Sequence, residues 1–118
     1  MIKLKRVYEE YDKQDGFRVL VDRLWPRGIS KDSARIDLWL KEAAPSSDLR
    51  KYFCHDPEKW EDFKKLYRAE LSGKKELLDE LKKAEKENSN LTLLYGAKDT
   101  EHNQAVVLAD VLKKHSRK

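Results

Sequence analysis

One run of the chain, Leu91-Thr92-Leu93-Leu94-Tyr95, limits more than any other what it can fold into. These five uncharged residues stand in a sequence in which 41% of residues are Asp, Glu, Lys or Arg. Asn88-Ser89-Asn90 precedes the run and Gly96 follows it. The length suits a strand, and the lack of polar alternation requires cover on both faces. The run therefore predicts a strand at the centre of a parallel sheet. Phe17 to Asp22 reads the same way, because Gly16 punctuates its start and Val19-Leu20-Val21 is rich in β-branched residues. Ile2 to Val7 carries a weaker pattern suited to an edge strand. Ile36 to Leu40 is apolar but short, so strand and helical turn compete there, with strand the preferred reading.

Between these runs the spacing is helical. Ser46 or Ser47 can cap a short helix through Phe53. Asp56-Pro57 opens the next, with Asp at the N-cap and Pro at the first helical position. In it Trp60, Phe63, Tyr67 and Leu71 fall three and four apart, one apolar stripe that Gly73 ends. Leu77, Leu81 and Ala84 form a similar stripe in a highly charged helix closed by Asn88-Ser89-Asn90. The two central helices are expected over 57–73 and 74–86, acid-laced on their solvent faces. After Gly96-Ala97-Lys98-Asp99, with Asp99 or Thr100 as cap, a last helix turns Ala105, Leu108, Ala109 and Leu112 inward. This order predicts an α/β fold: one layered domain over 1–118, with a small, largely parallel sheet flanked by helices. The 118 residues fit one such unit, since domains commonly run to roughly 100 to 150 residues.

The net charge of +4 and pI near 9.1 invite a nucleic-acid reading. Position argues against it. Residues 1–59 and residues 60–118 each carry 13 basic against 11 acidic side chains, so neither half is a basic arm. A nucleic-acid-binding or regulatory module is therefore the disfavoured alternative. Two short segments lean basic: Arg23 to Lys31, and the tail from Lys113, whose cations also suit a helix C-terminus. The single cysteine, Cys54, cannot form an intramolecular disulfide, and no run approaches the roughly 18 apolar residues of a membrane span. The N-terminus also lacks the apolar stretch of a signal peptide, so a cytoplasmic protein with no membrane partner is expected. Three histidines without His-x-x-x-His spacing, and no Cys-x-x-Cys, leave no readable metal site. Neither a Gly-x-Gly-x-x-Gly nor a Walker loop is present, and no cofactor is expected. A phosphatase loop at Cys54 is excluded, because Trp60 stands where that loop needs arginine.

Ligands of parallel sheets bind outside the carboxyl ends of the strands. That rule selects two loops, Asp22 to Lys31 and Gly96 to Asn103. In the first, Arg23 and Arg27 present planar forks suited to phosphate or carboxylate, and Trp25 could stack on a ring. The bland reading makes Trp25 a hydrophobic lid, lets Pro26 and Gly28 set the turn, and pairs Arg23 with a local acid. In the second, Lys98 precedes a helix whose first turn is expected to contain His102 and Asn103, so an anion there would meet free amides and a cation together. Its bland reading leaves those amides capped by Asp99 or Thr100. If the loops abut, Arg23, Arg27, Lys98 and His102 form one basic cleft for a small anionic ligand such as a nucleotide or phosphorylated metabolite. Trp25, Asn103 and the Tyr67 hydroxyl are further candidate contacts. Should conversion occur there, His102 or His55 would handle protons and Asp22 would orient a donor. His55-Asp56 also reads as a helix junction, and the stripe containing Tyr67 also reads as core.

The segments VDRLWPRG, then APS leading to LRKYF, HDPEKWEDFKKLYRAEL, and late LLYGAKDTEHNQAVVL together resemble the YeaO-like family of uncharacterised bacterial and archaeal proteins, within the domain of unknown function 488. The likeness spans about Val19 to Leu108. It implies an α/β domain, and some members carry a transcriptional-regulator label. Cys54 stands where the family pattern has glycine, and Gly96 where it has alanine.

Overall fold

The computed structural model describes residues 1–54 and 56–115. Its centre is β4, Leu91–Tyr95, with all five residues buried. β4 pairs in parallel with β1, Ile2–Arg6, on one side and with β2, Phe17–Leu20, on the other. Ile2 and Phe17 both lie opposite Leu91. β3 is only Leu38–Trp39, parallel to β2 on its outer side, so the sheet runs β1-β4-β2-β3. The expected strand at Ile36 to Leu40 is thus present but shorter. All four strands point the same way, which brings their carboxyl ends to one edge.

Among the described residues five α-helices accompany the sheet: α1 (Lys31–Ala34), α2 (Ser47–Phe53), α3 (Trp60–Ser72), α4 (Lys75–Asn88) and α5 (Gln104–Lys114). Ser46 caps α2 by accepting from the Leu49 amide, and its own amide and hydroxyl donate to Glu70, at 2.9 and 2.6 Å. One residue thereby caps a helix and fastens it to α3. Asp56 does open the next helical segment, but Pro57–Lys59 form a 3₁₀ turn before α3 begins. In α3 the stripe Phe63, Tyr67 and Leu71 is buried as expected. In α4 the buried pair is Leu78 and Leu81, with Leu77 and Ala84 half-buried beside them. The last helix starts at Gln104 with Asn103 as its cap, later than an Asp99 or Thr100 cap required. Asp99 instead closes the preceding turn, accepting from the amides of Glu101 and His102.

The two faces of the sheet are covered differently. Val19, Val21, Leu91 and Leu93 pack with Phe63, Tyr67, Leu108 and Leu112 of the helices. Leu20 and Leu94 on the other face pack with Val7 and with Trp25, Ile29, Ile36 and Trp39, which come from β3 and from connecting segments. Arg18 lies on this second face, between inward-facing neighbours, and is 1% exposed. Its Nη1 pairs with Asp15, which is 2% exposed, while Nη2 and Nε donate to the carbonyls of Ala34 and Arg35, each at 3.1 Å. Lys5 Nζ reaches the same carboxylate at 3.1 Å, and Thr92 donates to the Asp15 carbonyl at 2.7 Å. A polar staple therefore joins β1, β2, β4 and the segment after α1. Burial of Asp15 raises its pKa, but hydrogen bonds from Lys5, the Asp12 amide and Arg18, with the Lys5 charge, outweigh it and hold the carboxyl below its ordinary value.

Two predictions follow from these contacts. Asp15→Ala leaves Arg18 as an unpaired buried cation and is expected to cost roughly 3–5 kcal/mol in denaturant unfolding at neutral pH. Because the folded pKa of Asp15 is depressed, its contribution is present above the ordinary carboxylate value and is lost as pH falls below it. The gap between wild type and Asp15→Ala should accordingly narrow below about pH 4. A second expectation concerns Cys54, which ends α2 in the left-handed conformation at φ 45°. Glycine adopts that conformation without steric cost, so Cys54→Gly should stabilise the fold by about 0.5–1 kcal/mol, read as a rise in Tm.

Candidate functional site

A cleft of about 580 Å³ opens at the carboxyl edge of the sheet, where β2 and β4 end. Asp22 and Arg23 enter it from the segment after β2, Ala97 from the segment after β4, and Gln104 from the first turn of α5. The chain leaving β2 turns to the Leu20 and Leu94 face, whereas the chain leaving β4 runs into α5 on the Val19 and Leu93 face. Adjacent parallel strands whose connections diverge in this way leave a crevice between them, the usual ligand position in open α/β sheets. The opposite wall is α2, which contributes Ser47, Arg50, Lys51 and Cys54.

Asp22 holds the edge together. Its carboxylate accepts from the Gly96 amide at 2.8 Å and from Gln104 Nε2, and its carbonyl accepts from Trp39 Nε1 at 2.8 Å. Arg23, beside it, is differently placed. Nη2 donates to the Pro45 carbonyl at 3.3 Å, but Nε is buried and has no hydrogen-bond partner. Among the described residues no carboxylate lies within ion-pair distance of this guanidinium. A buried guanidinium N–H without an acceptor is unusual, because such groups are ordinarily hydrogen-bonded or paired. Arg50, whose Nη2 donates to Ser47 at 3.3 Å, and Lys51 add two exposed cations from the opposite wall.

The structure separates the other residues singled out in the sequence. Arg27 is exposed, and only its carbonyl is engaged, accepting from the Tyr8 hydroxyl at 3.3 Å. Trp25 belongs to the second core: Nε1 donates to the Ile29 carbonyl at 2.7 Å, and its ring meets Trp39 edge-on at 5.4 Å. Gly28, at φ 76°, makes the turn this packing needs. Lys98 is exposed and lies outside the cleft lining. His102 is also outside it, with Nδ1 2.9 Å from Asp99 and its ring 5.2 Å from Trp60. The amides of Glu101 and His102, and then the His102 ring, hold Asp99 below its ordinary carboxylate value. Asn103 is buried as the α5 cap, with Oδ1 accepting from Val106 and Nδ2 donating to the Asp99 carbonyl. Tyr67 is 0% exposed and donates its hydroxyl to the Ala43 carbonyl. Burial, and then the charges of Glu70 and Asp22, push its pKa far above the ordinary phenol value, so it is a structural donor. His55 lies outside the described residues. Of the predicted set, Asp22 and Arg23 line this cleft. Arg50 and Lys51 were not singled out as site residues, because cations on a short, charged helix read as solvated surface. The signal that could have found Arg50 is its place in the LRKYF segment of the family resemblance.

Among the described residues no helix is long and apolar enough to cross a membrane, and no group of His, Cys, Asp and Glu is arranged to hold a metal ion. Residues 1–118 match the sequence model of the family described as the inactive DUF488-N3 subclade. The chain is 47% identical over 116 residues to the uncharacterized protein YeaO of Escherichia coli (strain K12), covering 95% of this chain and 96% of that one. It is 40% identical over 111 residues to an uncharacterized protein of Mycobacterium tuberculosis (strain ATCC 25618 / H37Rv), covering 94% and 92%. A protein of Mycobacterium bovis (strain ATCC BAA-935 / AF2122/97) matches to the same extent. No solved structure matches the chain. With the whole sequence matched by one family model and by relatives of nearly equal length, the chain belongs to the DUF488 family, in its YeaO-like, inactive DUF488-N3 subclade.

Proposed function

We propose that the protein binds a small anionic molecule in the cleft between α2 and the carboxyl ends of β2 and β4. The observation that carries this reading is the Arg23 guanidinium, half-buried on the cleft wall with an orphan Nε and, among the described residues, no carboxylate within ion-pair distance. An anion that accepted from Nε would satisfy it, and Arg50 and Lys51 would bring charge from the facing helix. Binding without conversion is the preferred form. Asp22 already accepts from Gly96 and Gln104, and among the described residues no histidine lines the cleft. The subclade's description as inactive agrees with that form. A duplex nucleic acid suits the surface less well, because acidic residues are mixed among the cations along both halves of the chain.

Cys54 supplies a reporter, being the single cysteine and exposed on the cleft wall. Inorganic phosphate is expected to slow its alkylation by iodoacetamide several-fold at constant ionic strength, while chloride does not. Arg23→Leu should weaken the protecting effect by roughly ten- to a hundredfold, the loss of one or two charge-assisted hydrogen bonds. Arg50→Ala changes an exposed side chain, keeps the fold, and should weaken protection less. Protection that survives both substitutions would place the anion elsewhere and end this reading.

A further inference from the structure

The cleft lining combines charged and apolar side chains on both of its walls. Among the described residues Arg23, Arg50 and Lys51 are its cations, against the single carboxylate of Asp22. The remaining surface is largely hydrocarbon: Phe53 and Phe63, stacked at 4.4 Å, lie beside Ala44, Pro45 and Ala97. Leu24 stands on the rim and is 72% exposed, directly after the orphan arginine. A leucine so exposed at the mouth of a cleft is apolar surface that a bound molecule can remove from water. Inorganic phosphate would satisfy the cations and leave that apolar surface wet. A nucleotide would bring a base whose polar edges find few partners along phenyl, alkyl and prolyl surface.

We infer that the ligand is an amphipathic phosphomonoester, its phosphoryl group on Arg23, Arg50 and Lys51 and an apolar aryl or alkyl arm against Leu24 and the Phe53 side of the cleft. This rests on the anion reading above and narrows it. Charge balance supports a dianion, because three cations and one carboxylate leave the lining with two positive charges in excess. Volume supports an arm, because a cleft of about 580 Å³ greatly exceeds one phosphate group and falls in the range of small-molecule sites, roughly 300–1,000 Å³.

Calorimetric titration of the intact chain with phenyl phosphate, inorganic phosphate, benzyl alcohol and AMP separates the alternatives. Phenyl phosphate is expected to bind about tenfold tighter than inorganic phosphate, the gain from burying part of a leucine side chain. Benzyl alcohol, which lacks the anion, should not bind. Leu24→Ser changes only a rim residue and should bring phenyl phosphate to parity with inorganic phosphate while leaving inorganic phosphate unaltered. Equal affinities in the wild type, or a preference untouched by Leu24→Ser, would overturn the apolar arm and leave the anion site standing. AMP binding tighter than phenyl phosphate would overturn it in favour of a nucleotide. Failure of every phosphate to bind, or binding indifferent to Arg23→Leu and Arg50→Ala, would overturn both proposals.

Discussion

The geometry of the carboxyl edge depends on one side chain. Asp22 accepts from the Gly96 amide and from Gln104 Nε2 through its carboxylate, and from Trp39 through its carbonyl. Those bonds link the ends of β2 and β4, the start of α5 and the side chain of the last residue of β3. A parallel sheet has no tight hairpins to align its ends, so alignment must come from such cross-links or from packing. With the edge so tied, the next residue, Arg23, has little freedom in where its guanidinium goes. It goes to the crevice, where Nη2 donates to the Pro45 carbonyl.

The second face of the sheet shows a complementary solution. Helices cover the first face with apolar side chains, but the second is covered by connecting segments too short to supply a full hydrophobic layer. Arg18, Asp15, Lys5 and Thr92 fill the gap with hydrogen bonds. A buried ionic cluster contributes less net stability than the same volume of hydrocarbon, but it is directional. Arg18 reaches the consecutive carbonyls of Ala34 and Arg35, fixing where the chain leaves α1 and enters β3. That fixes Trp39, and Trp39 in turn donates to Asp22. The polar staple and the cleft are thus two ends of one chain of contacts.

Much of this was legible in the sequence where burial alone decides structure. The strands Phe17–Leu20 and Leu91–Tyr95 and the stripe Phe63, Tyr67, Leu71 are mostly apolar, and they fold as their spacing says. Legibility fell where a side chain had two good options. DRLWPRG reads as one cationic unit, yet Trp25 is apolar enough to join the second core, and of the segment's two arginines Arg23 lines the cleft while Arg27 is exposed outside it. His102 and Asn103 lie outside the first turn of the last helix because Asp99 closes its own turn first, and Asn103 then caps the helix from its N-cap position. Arg18 had no signature at all, since an arginine inside an apolar strand run gives no hint of an acid at Asp15 already fixed by its own turn.

The departures from the family pattern can be read in the same physical terms. Cys54 occupies a left-handed helix end, where the glycine implied by the family resemblance would be conformationally cheaper. Gly96 replaces an expected alanine at a point where an added Cβ would come 3.1 Å from Asp22 Oδ2. Removing that methyl lets the Gly96 amide sit at 2.8 Å from the same oxygen without displacing it. Both positions meet one cleft: Cys54 lines it, and the Gly96 amide donates to Asp22, which lines it as well. The first adds a polarisable group to the wall that carries Arg50 and Lys51, and the second leaves Asp22 room to hold the edge on which Arg23 depends.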